Sequence, residues 1–321
     1  MMVYVDKFGG GNSNYYWLES FEKITEVSSF NIRKYSSKYI FEKILEIKPN
    51  HIHFGGSVKR ERFFPVEYVK KIRERFKNVK ITFFYGDAYY FPYQRNIIPY
   101  IDKLFISHIP SDICSDKVIF QPCPTNLKKS NLKFDKIYEV SFIGNNYSKN
   151  RLKDLKKISE VCNLTVFGNG WEKTGLKYEE RISFEEFPKV VEKSMFCLGN
   201  TLYMFCEWSG ARICEYYKKP LSDILCHDER CVNYKSLNCY FSNRVMNLCG
   251  CGGSILLFYS EGLDKIFTDR KNIIFFKNLE DLRKKIDYYK NNLQLLENIG
   301  SEAYELSRKY IFDVVAKKIL S

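Results

Sequence analysis

A glycine loop followed by basic residues is the first pattern in this sequence that could perform chemistry. Gly144 and Asn145 follow a short apolar run, and Lys149 and Arg151 come shortly after them. Glycines between a strand and a helix let backbone N–H groups approach a phosphate, and the helix N-terminus favours its negative charge. The spacing predicts a diphosphate-binding loop. A tight turn followed by solvated basic residues would give the same pattern.

A second basic group, Arg244, stands at the predicted start of a helix. An arginine that faces a cleft from this position suits bidentate phosphate binding. Glu261 follows the next predicted strand, where its carboxylate could accept hydrogen bonds from a ribose or sugar hydroxyl. Each residue also has an ordinary explanation. Arg244 could form a surface ion pair, and Glu261 could stabilise a helix N-terminus.

His53 and Asp87 end predicted strands in the first half of the chain. Either side chain could act as general base for a hydroxyl acceptor. A structural histidine with satisfied hydrogen bonds would equally explain His53. An aspartate that follows a glycine is also common in turns and at helix N-caps, which would explain Asp87.

Basic and aromatic residues crowd the same half of the chain. Together they suit nucleic-acid backbones and exposed bases, although a solvated helix face beside an aromatic core would look similar. The residues that we assign to an acceptor surface, including two glycines of the first loop, are Gly10, Gly11, Arg60, Arg62, Tyr89 and Tyr90.

The composition indicates a folded, basic protein. Of the 321 residues, 45% are hydrophobic and 17% aromatic, which excludes global disorder. Lys and Arg number 51 against 38 Asp and Glu, a net charge of +13, which favours an acidic partner such as nucleic acid, an anionic surface or a phosphate-bearing ligand. No run approaches the roughly 18 apolar residues that span a bilayer. The first residues, MMVYVDKFGGG, lack a basic leader, so we expect a cytoplasmic protein without stable membrane insertion.

The cysteines predict free thiols rather than a metal site. The chain has 11 of them, an odd number, and a reducing compartment would leave them unpaired. No Cys-x2-Cys pair occurs in the cysteine-rich stretch, so a tetrahedral zinc site is the less favoured alternative. The residues of this stretch that could bind zinc are Cys206, Cys214, Cys226, His227, Cys231 and Cys239.

The elements that must position these residues alternate between strand and helix. In the first half, Met2–Val5 and Val79–Tyr85 have strand patterns, and Leu18–Val27 and Ser37–Ile47 have helical spacing. The pattern restarts after a Pro-, Asn- and Lys-rich linker that ends at Asp135. Two α/β units are therefore predicted, and ligands in such sheets bind at the carboxyl ends of the strands. The domain boundaries that we assign are 1–128, 136–303 and a C-terminal helix over 304–321.

Several motifs resemble those of the group 1 glycosyltransferases of the spore-maturation type, many of which are phage-encoded. The strongest run from Tyr240 to Val245, from Gly250 to Leu257 and from Glu261 to Phe267. Phe142-Ile143-Gly144 and Tyr85-Gly86-Asp87-Ala88 agree with them. The resemblance implies a GT-B fold, in which two Rossmann-like domains face a central cleft and the C-terminal helix crosses back to the first domain.

The resemblance also assigns roles by position. Arg244 would contact the donor diphosphate, and the turn with Gly252 and Gly253 would line the same site. The segment Glu261-Gly262-Leu263 would reach the ribose or sugar. Asn247 stands where many group 1 enzymes carry a glutamate, so the expected carboxylate pair is incomplete.

The implied reaction is transfer of a sugar from a nucleoside-diphosphate sugar to a hydroxyl, with UDP-glucose as the expected donor. We expect no metal or other cofactor and a monomeric enzyme. The charge and the phage-encoded relatives favour a hydroxymethylated pyrimidine base in DNA as acceptor, which would place the enzyme in a host cytoplasm. The alternatives are transfer to surface polysaccharide, lipid or protein, and a catalytically inactive nucleotide-binding module.

Overall fold

The architecture comes from a computed structural model that describes residues 1–8, 14–58, 61–86, 91–107, 115–129, 135–146, 149–199, 213–214, 219–220, 242–259 and 262–321. The chain divides into two compact units. Unit 1 comprises Met1–Pro124 and Tyr310–Ser321, and unit 2 comprises Thr125–Lys309.

Unit 1 contains a six-stranded sheet in which all neighbouring strands run parallel, in the order β2-β1-β3-β4-β5-β6. Because β2 lies on one side of β1 and β3 on the other, the strand order reverses between β1 and β3. The strands are β1 Met2–Asp6, β2 Val27–Asn31, β3 His51–Phe54, β4 Lys80–Tyr85, β5 Lys103–Ile106 and β6 Val118–Phe120.

Helices cover both faces of this sheet. Successive strand residues point to opposite faces, so Val3 and Val5 join one buried cluster and Met2 and Tyr4 join another. The helices are α1 Asn14–Glu22, α2 Ser37–Ile47, α3 Val66–Arg75, α4 Phe91–Ile97 and, in the returning segment, α10 Phe312–Leu320; a 3-10 turn spans Ile98–Tyr100.

Helix α10 packs against α1. The Phe312 ring meets Trp17 edge-to-face at 5.0 Å between centroids. Asp313 accepts hydrogen bonds from Ser20 at 2.6 Å and from Lys23 at 2.9 Å. The last residues of the chain therefore complete the core of unit 1.

One predicted helix in this unit is confirmed, but its predicted end is wrong. Helical spacing continues from Leu18 to Val27, but α1 ends at Glu22 and Val27 begins β2. Val27 pairs with Met2 in the parallel register of β1 and β2. Sheet pairing overrides the local periodicity here, because a β-branched residue packs well on a strand that is partly buried.

Unit 2 contains a second sheet of six parallel strands, in the order β14-β13-β10-β7-β8-β9. The chain moves from β7 to β8 and β9 on one side and then to β10 on the other, so the order reverses between β7 and β10. The strands are β7 Tyr138–Ile143, β8 Leu164–Phe167, β9 Lys177–Glu179, β10 Ser194–Leu198, β13 Ile255–Phe258 and β14 Ile274–Phe276; β11 Ile213–Cys214 and β12 Lys219–Pro220 form a separate antiparallel pair.

The helices of unit 2 surround a core that includes Phe142, Trp171 and Phe276, each fully buried. The exposed edge strand β9 does not have a recognisable sequence pattern, since all three of its residues face solvent. The helices are α5 Lys149–Ser159, α6 Phe187–Glu192, α7 Asn243–Gly250, α8 Leu279–Lys290 and α9 Leu293–Ser307; 3-10 turns span Leu263–Lys265 and Arg308–Tyr310.

Candidate functional site

Arg244 joins the carboxyl ends of two strands of unit 2. It lies in the first turn of α7, where its Nε donates to the Ile143 carbonyl at 2.5 Å and its Nη1 donates to the Gly199 carbonyl at 3.0 Å. Ile143 ends β7 and Gly199 follows β10, the two strands between which the strand order reverses. Ligands of open α/β sheets bind at this kind of switch point. The guanidinium therefore stands where the fold favours a ligand.

Gly144 leaves the space that the Arg244 side chain occupies. A Cβ atom on Gly144 would lie 2.6 Å from Arg244 Nη2, so a side chain at this position would require the guanidinium or the loop to move. The Arg244 guanidinium also lies 4.2 Å from the centroid of the Phe142 ring, a favourable cation–π distance. The predicted loop residue and the predicted phosphate-binding arginine are thus side by side.

A second glycine loop holds the first in place. Trp171 Nε1 donates to the Gly144 carbonyl at 2.8 Å, and the Asn169 backbone N–H donates to Asn145 Oδ1 at 2.9 Å. Asn146 Nδ2 donates to the Gly170 carbonyl at 2.9 Å. Side-chain amides and an indole thus fix the backbone conformation, as a preorganised anion-binding loop requires.

Arg151 is a correction to the predicted site. It is only 4% exposed, although the sequence predicts a cation available to a ligand. Its Nη1 donates to the Asn145 carbonyl at 2.6 Å, and its guanidinium lies 5.8 Å from the Phe142 ring centroid. Arg151 therefore supports the loop from behind. Lys149 begins α5.

Gly252 and Gly253 lie at the opposite edge of the sheet. Helix α7 begins at the carboxyl edge and ends near the amino end of β13, which the two glycines precede. A Cβ atom added to Gly252 would lie 3.2 Å from the Lys129 side chain, and one added to Gly253 would lie 2.9 Å from the Val191 side chain. The structure does not bring these glycines to Arg244, because the helix separates the two ends of the motif.

The remaining residues predicted to bind the donor differ in their surroundings. Asn247 lies one turn after Arg244 in α7 and is half-buried. Gly262 adopts a left-handed φ of 86° before a 3-10 turn, and Leu263 is fully buried, so the Leu263 side chain belongs to the core. Glu261 lies outside the described residues.

His53 is the second correction. Its ring is fully buried among aromatic residues, and its centroid lies 5.8 Å from that of the Tyr4 ring. Its Nδ1 atom forms a hydrogen bond with Thr82 Oγ1 at 2.8 Å. Burial lowers its pKa well below the usual value, and nearby His51 lowers it further. A hydroxyl acceptor cannot reach this ring, so the structure contradicts a general-base role.

The other unit 1 candidates fall mostly outside the described residues. These are Gly10, Gly11, Arg60, Asp87, Tyr89 and Tyr90. Arg62 is exposed, and its guanidinium lies 4.7 Å from the centroid of the Phe63 ring.

The basic residues of α3 are largely ion-paired. Lys70 and Lys71 lie within 4.0 Å and 3.6 Å of Glu74 and Glu67, and Arg73 contacts Asp102 at 2.5 Å. Exposed pairs of this kind stabilise a fold little, but they reduce the positive charge that α3 could present. The α3 pattern is therefore that of a solvated helix face.

The two neighbouring histidines of β3 predict acid sensitivity. His51 also contacts Thr82 Oγ1 at 2.8 Å, and burial followed by the positive charge of Lys80 lowers its pKa to about 4. An unfolded histidine titrates near pH 6.5, so below that pH the unfolded chain binds a proton that folded His51 rejects. The free energy of unfolding should fall by about 3 kcal/mol between about pH 6.5 and pH 4 from this residue alone.

Urea unfolding followed by circular dichroism at several pH values measures this loss. His51→Asn should make the midpoint less dependent on pH, because the variant has no imidazole to titrate. An equally steep pH dependence in that variant would contradict the assignment.

The comparison with known proteins identifies the family. The model of the family described as glycosyl transferase-like matches residues 149–321. The chain belongs to this family. No curated protein matches the sequence. The family match includes Arg244, whereas the strands of unit 1 lie before the matched residues.

Solved structures confirm the predicted GT-B fold of this protein. HepE of Anabaena in complex with UDP matches with a TM-score of 0.63 and 8% identity, over 100% of this chain and 98% of that one. A sucrose-phosphate synthase of Thermosynechococcus elongatus matches at 0.61 and 10%, over 99% and 96%. A Rickettsia africae glycosyltransferase matches at 0.60 and 10%, also over 99% and 96%. At these identities the matches show the fold alone; the spore-maturation subtype and phage origin stay predictions.

Among the residues that the structure describes, no group of three or more His, Cys, Asp or Glu side chains is arranged to bind a metal ion. The thiols of Cys197, Cys249 and Cys251 are buried, and burial raises the pKa of each, so they are neutral. These three cysteines flank the cysteine-rich stretch, whose own members lie outside the described residues, apart from Cys214 in β11. Within the described ranges no helix has the length and apolar character needed to cross a membrane.

Asp6 is the residue of greatest structural interest that the sequence does not reveal. It ends β1, is fully buried and accepts hydrogen bonds from three different residues. A single acidic residue after a short apolar run has no distinctive pattern, so only the fold could identify it.

Proposed function

We propose that this protein transfers a sugar from a nucleoside-diphosphate sugar to a hydroxyl acceptor. The observation that carries the proposal is the position of Arg244, at the switch point of the unit 2 sheet and against the Gly144 loop. An arginine remains charged at every physiological pH. Placed there, it would bind the diphosphate of the donor and stabilise the negative charge that develops as the diphosphate leaves.

In the proposed reaction, the bond between the anomeric carbon of the sugar and the diphosphate oxygen breaks, and a bond forms between that carbon and the acceptor oxygen. The diphosphate leaves with the bonding electrons, and the acceptor hydroxyl loses its proton to a base. Asp87 remains our candidate base if the configuration inverts, since in the sequence it comes two residues after the end of β4. Cationic groups and helix dipoles could stabilise the leaving group without a metal ion.

UDP is the nucleotide that we propose for the donor, and glucose is the first sugar to test. HepE, which has the same fold, has been solved with UDP-glucose. The TarM protein of S. aureus, also of this fold, has been solved with UDP. These complexes support the choice of donor and leave the acceptor open.

For the acceptor we propose a hydroxymethylated pyrimidine in DNA. A net charge of +13 supports an anionic acceptor. A base inside a duplex would have to be flipped out to react. The ion pairs on α3 favour the competing proposal, an acceptor in a surface polysaccharide, lipid or protein, because they reduce the cationic surface of unit 1.

The deciding experiment incubates the protein with UDP-glucose and DNA that contains hydroxymethylcytosine or hydroxymethyluracil. Digestion to nucleosides and mass spectrometry should show a base heavier by one hexose, with unmodified DNA as the control. Transfer should be lost in Asp87→Asn while UDP binding is retained. Full activity in this variant would reject Asp87 as the base.

Other outcomes select the alternatives. Binding to anionic liposomes that weakens with salt, without modified DNA, would favour a membrane-associated acceptor. UDP binding without transfer to any acceptor or hydrolysis of the donor would indicate an inactive module. The cytoplasmic location and the monomeric state remain predictions that cell fractionation and size-exclusion chromatography would test.

A further inference from the structure

The switch point of the unit 1 sheet contains a buried carboxylate. Asp6 is the last residue of β1, and Gly55 follows the last residue of β3. The strand order reverses between these two strands. The crevice outside their carboxyl ends is therefore the place in unit 1 where the topology favours a ligand.

Asp6 connects the segments that leave the two strands. Its Oδ1 accepts hydrogen bonds from the Lys7 backbone N–H at 2.7 Å and from the Ser57 backbone N–H at 3.0 Å. Its Oδ2 accepts the Tyr4 hydroxyl at 2.8 Å. One carboxylate thus bridges the segment after β1 and the segment after β3, and charged hydrogen bonds of this kind are about twice as strong as neutral ones.

Neighbouring side chains fix the same two segments. Asn31 Nδ2 donates to the Phe8 carbonyl at 2.9 Å, and the Tyr85 hydroxyl donates to the Val58 carbonyl at 2.6 Å. Each bond holds a backbone group just beyond a strand end, on the side of the sheet where a ligand would bind. Asp6 is the member of this set that contacts both segments.

Gly55 shows how tightly the carboxylate is enclosed. A Cβ atom on Gly55 would lie 1.8 Å from Asp6 Oδ2. No larger residue fits there unless the carboxylate moves. The glycine that follows β3 is therefore required by the position of Asp6.

Asp6 cannot itself exchange a proton with an acceptor. It is fully buried, and both oxygens are engaged by the protein. Burial raises its pKa, while the hydrogen bonds oppose that shift. The carboxylate acts through the backbone that it holds, which makes it a positioning residue rather than a base.

We propose that Asp6 holds the segments after β1 and β3 in the arrangement that binds the hydroxyl-bearing acceptor. The inference rests on the proposed function, because it needs an acceptor that binds unit 1. Four of the predicted acceptor residues follow these segments closely in the chain: Gly10, Gly11, Arg60 and Arg62.

The test is Asp6→Asn, which keeps the size of the side chain but turns one acceptor oxygen into a donor. The KM for the acceptor should rise by about tenfold or more, because a neutral amide replaces the charge-assisted hydrogen bonds to the Lys7 and Ser57 N–H groups with weaker ones, and the Tyr4 hydroxyl must reverse its role from donor to acceptor. The dissociation constant for UDP should stay within about twofold, since the Arg244 site belongs to unit 2. Tyr4→Phe, which removes one donor, should raise the same KM by a smaller factor.

Asp102→Asn is the matched control. Asp102 accepts a hydrogen bond from the Ile81 backbone N–H at 2.7 Å and contacts Arg73, but it precedes β5, at the amino edge of the sheet. This variant should lower the unfolding midpoint and leave the acceptor KM unchanged. An equal rise in both variants, or no rise in Asp6→Asn, would overturn the proposal.

Hydrogen–deuterium exchange separates this proposal from the proposed function. In Asp6→Asn, exchange should increase in peptides that cover residues 7–8 and 55–58 and stay unchanged in unit 2. If the wild-type protein transfers no sugar, the proposed function fails, and increased exchange would still show that Asp6 holds the two segments. Unchanged exchange would overturn that role. If Asp6→Asn does not fold, Gly55→Ala supplies the test, since its methyl group must displace the same carboxylate.

Discussion

Arg244→Ala is expected to lower kcat/KM by at least about a hundredfold, the effect typical of removing a group that stabilises charge in the transition state. The variant loses the guanidinium that lies against Gly144 and joins the Ile143 and Gly199 carbonyls. Donor binding should weaken as well. Initial rates at several UDP-sugar concentrations, together with calorimetry of UDP binding, measure both effects.

Arg244→Lys is the control for charge. Lysine keeps the positive charge but cannot span two carbonyls with a planar fork, so we expect intermediate activity. Arg244 is half-buried, not fully solvated as a cleft residue would be, and Arg244→Ala should also lower the unfolding midpoint. Activity equal to the wild type in a folded Arg244→Ala variant would remove Arg244 from the site.

Gly144→Ala should reduce activity nearly as strongly. The added methyl group would lie 2.6 Å from Arg244 Nη2 and 3.2 Å from the Phe142 ring, so the guanidinium or the loop must move. A shift of about 1 Å in a positioning group can reduce a rate by about a hundredfold. Steady-state kinetics and UDP binding measure the change.

A double-mutant cycle with Arg244→Ala tests the cause. In that background the methyl group no longer meets the guanidinium, so Gly144→Ala should have little further effect. Additive losses from the two substitutions would show that Gly144 acts independently of Arg244.

The strand ends and the glycine loops of unit 2 could be predicted from sequence because several local signals agree there. The apolar run before Gly144 predicts a strand, and β7 ends there at Ile143; in unit 1, the regular apolar spacing of Ser37–Ile47 predicts a helix, which the structure confirms. Gly144 and Arg244 were each predicted from their own surroundings. Their contact depends on the pairing of β7 with β10. The hydrogen bond from Arg244 to the Ile143 carbonyl joins residues that are 101 positions apart in the sequence.

Other features depend on which side of the sheet each helix covers. His51 and His53 share one face of β3, and that face is covered partly by α10, from the end of the chain. A local pattern cannot show that coverage, so His53 looked available for catalysis. Gly252 and Gly253 were assigned to the donor site by motif, although a helix of eight residues is about 12 Å long and separates them from Arg244.

The return of the chain to unit 1 has a consequence for biosynthesis. Residues 1–124 leave the ribosome before unit 2 does, but α10 is translated only after the whole of unit 2. Until then the apolar surface of α1, with Trp17 and Phe21, lacks its covering helix. Domains generally fold in order as they emerge, and exposed apolar surface promotes aggregation in the interval. The apolar surface of α1 in the nascent unit 1 therefore remains partly uncovered while unit 2 is synthesised.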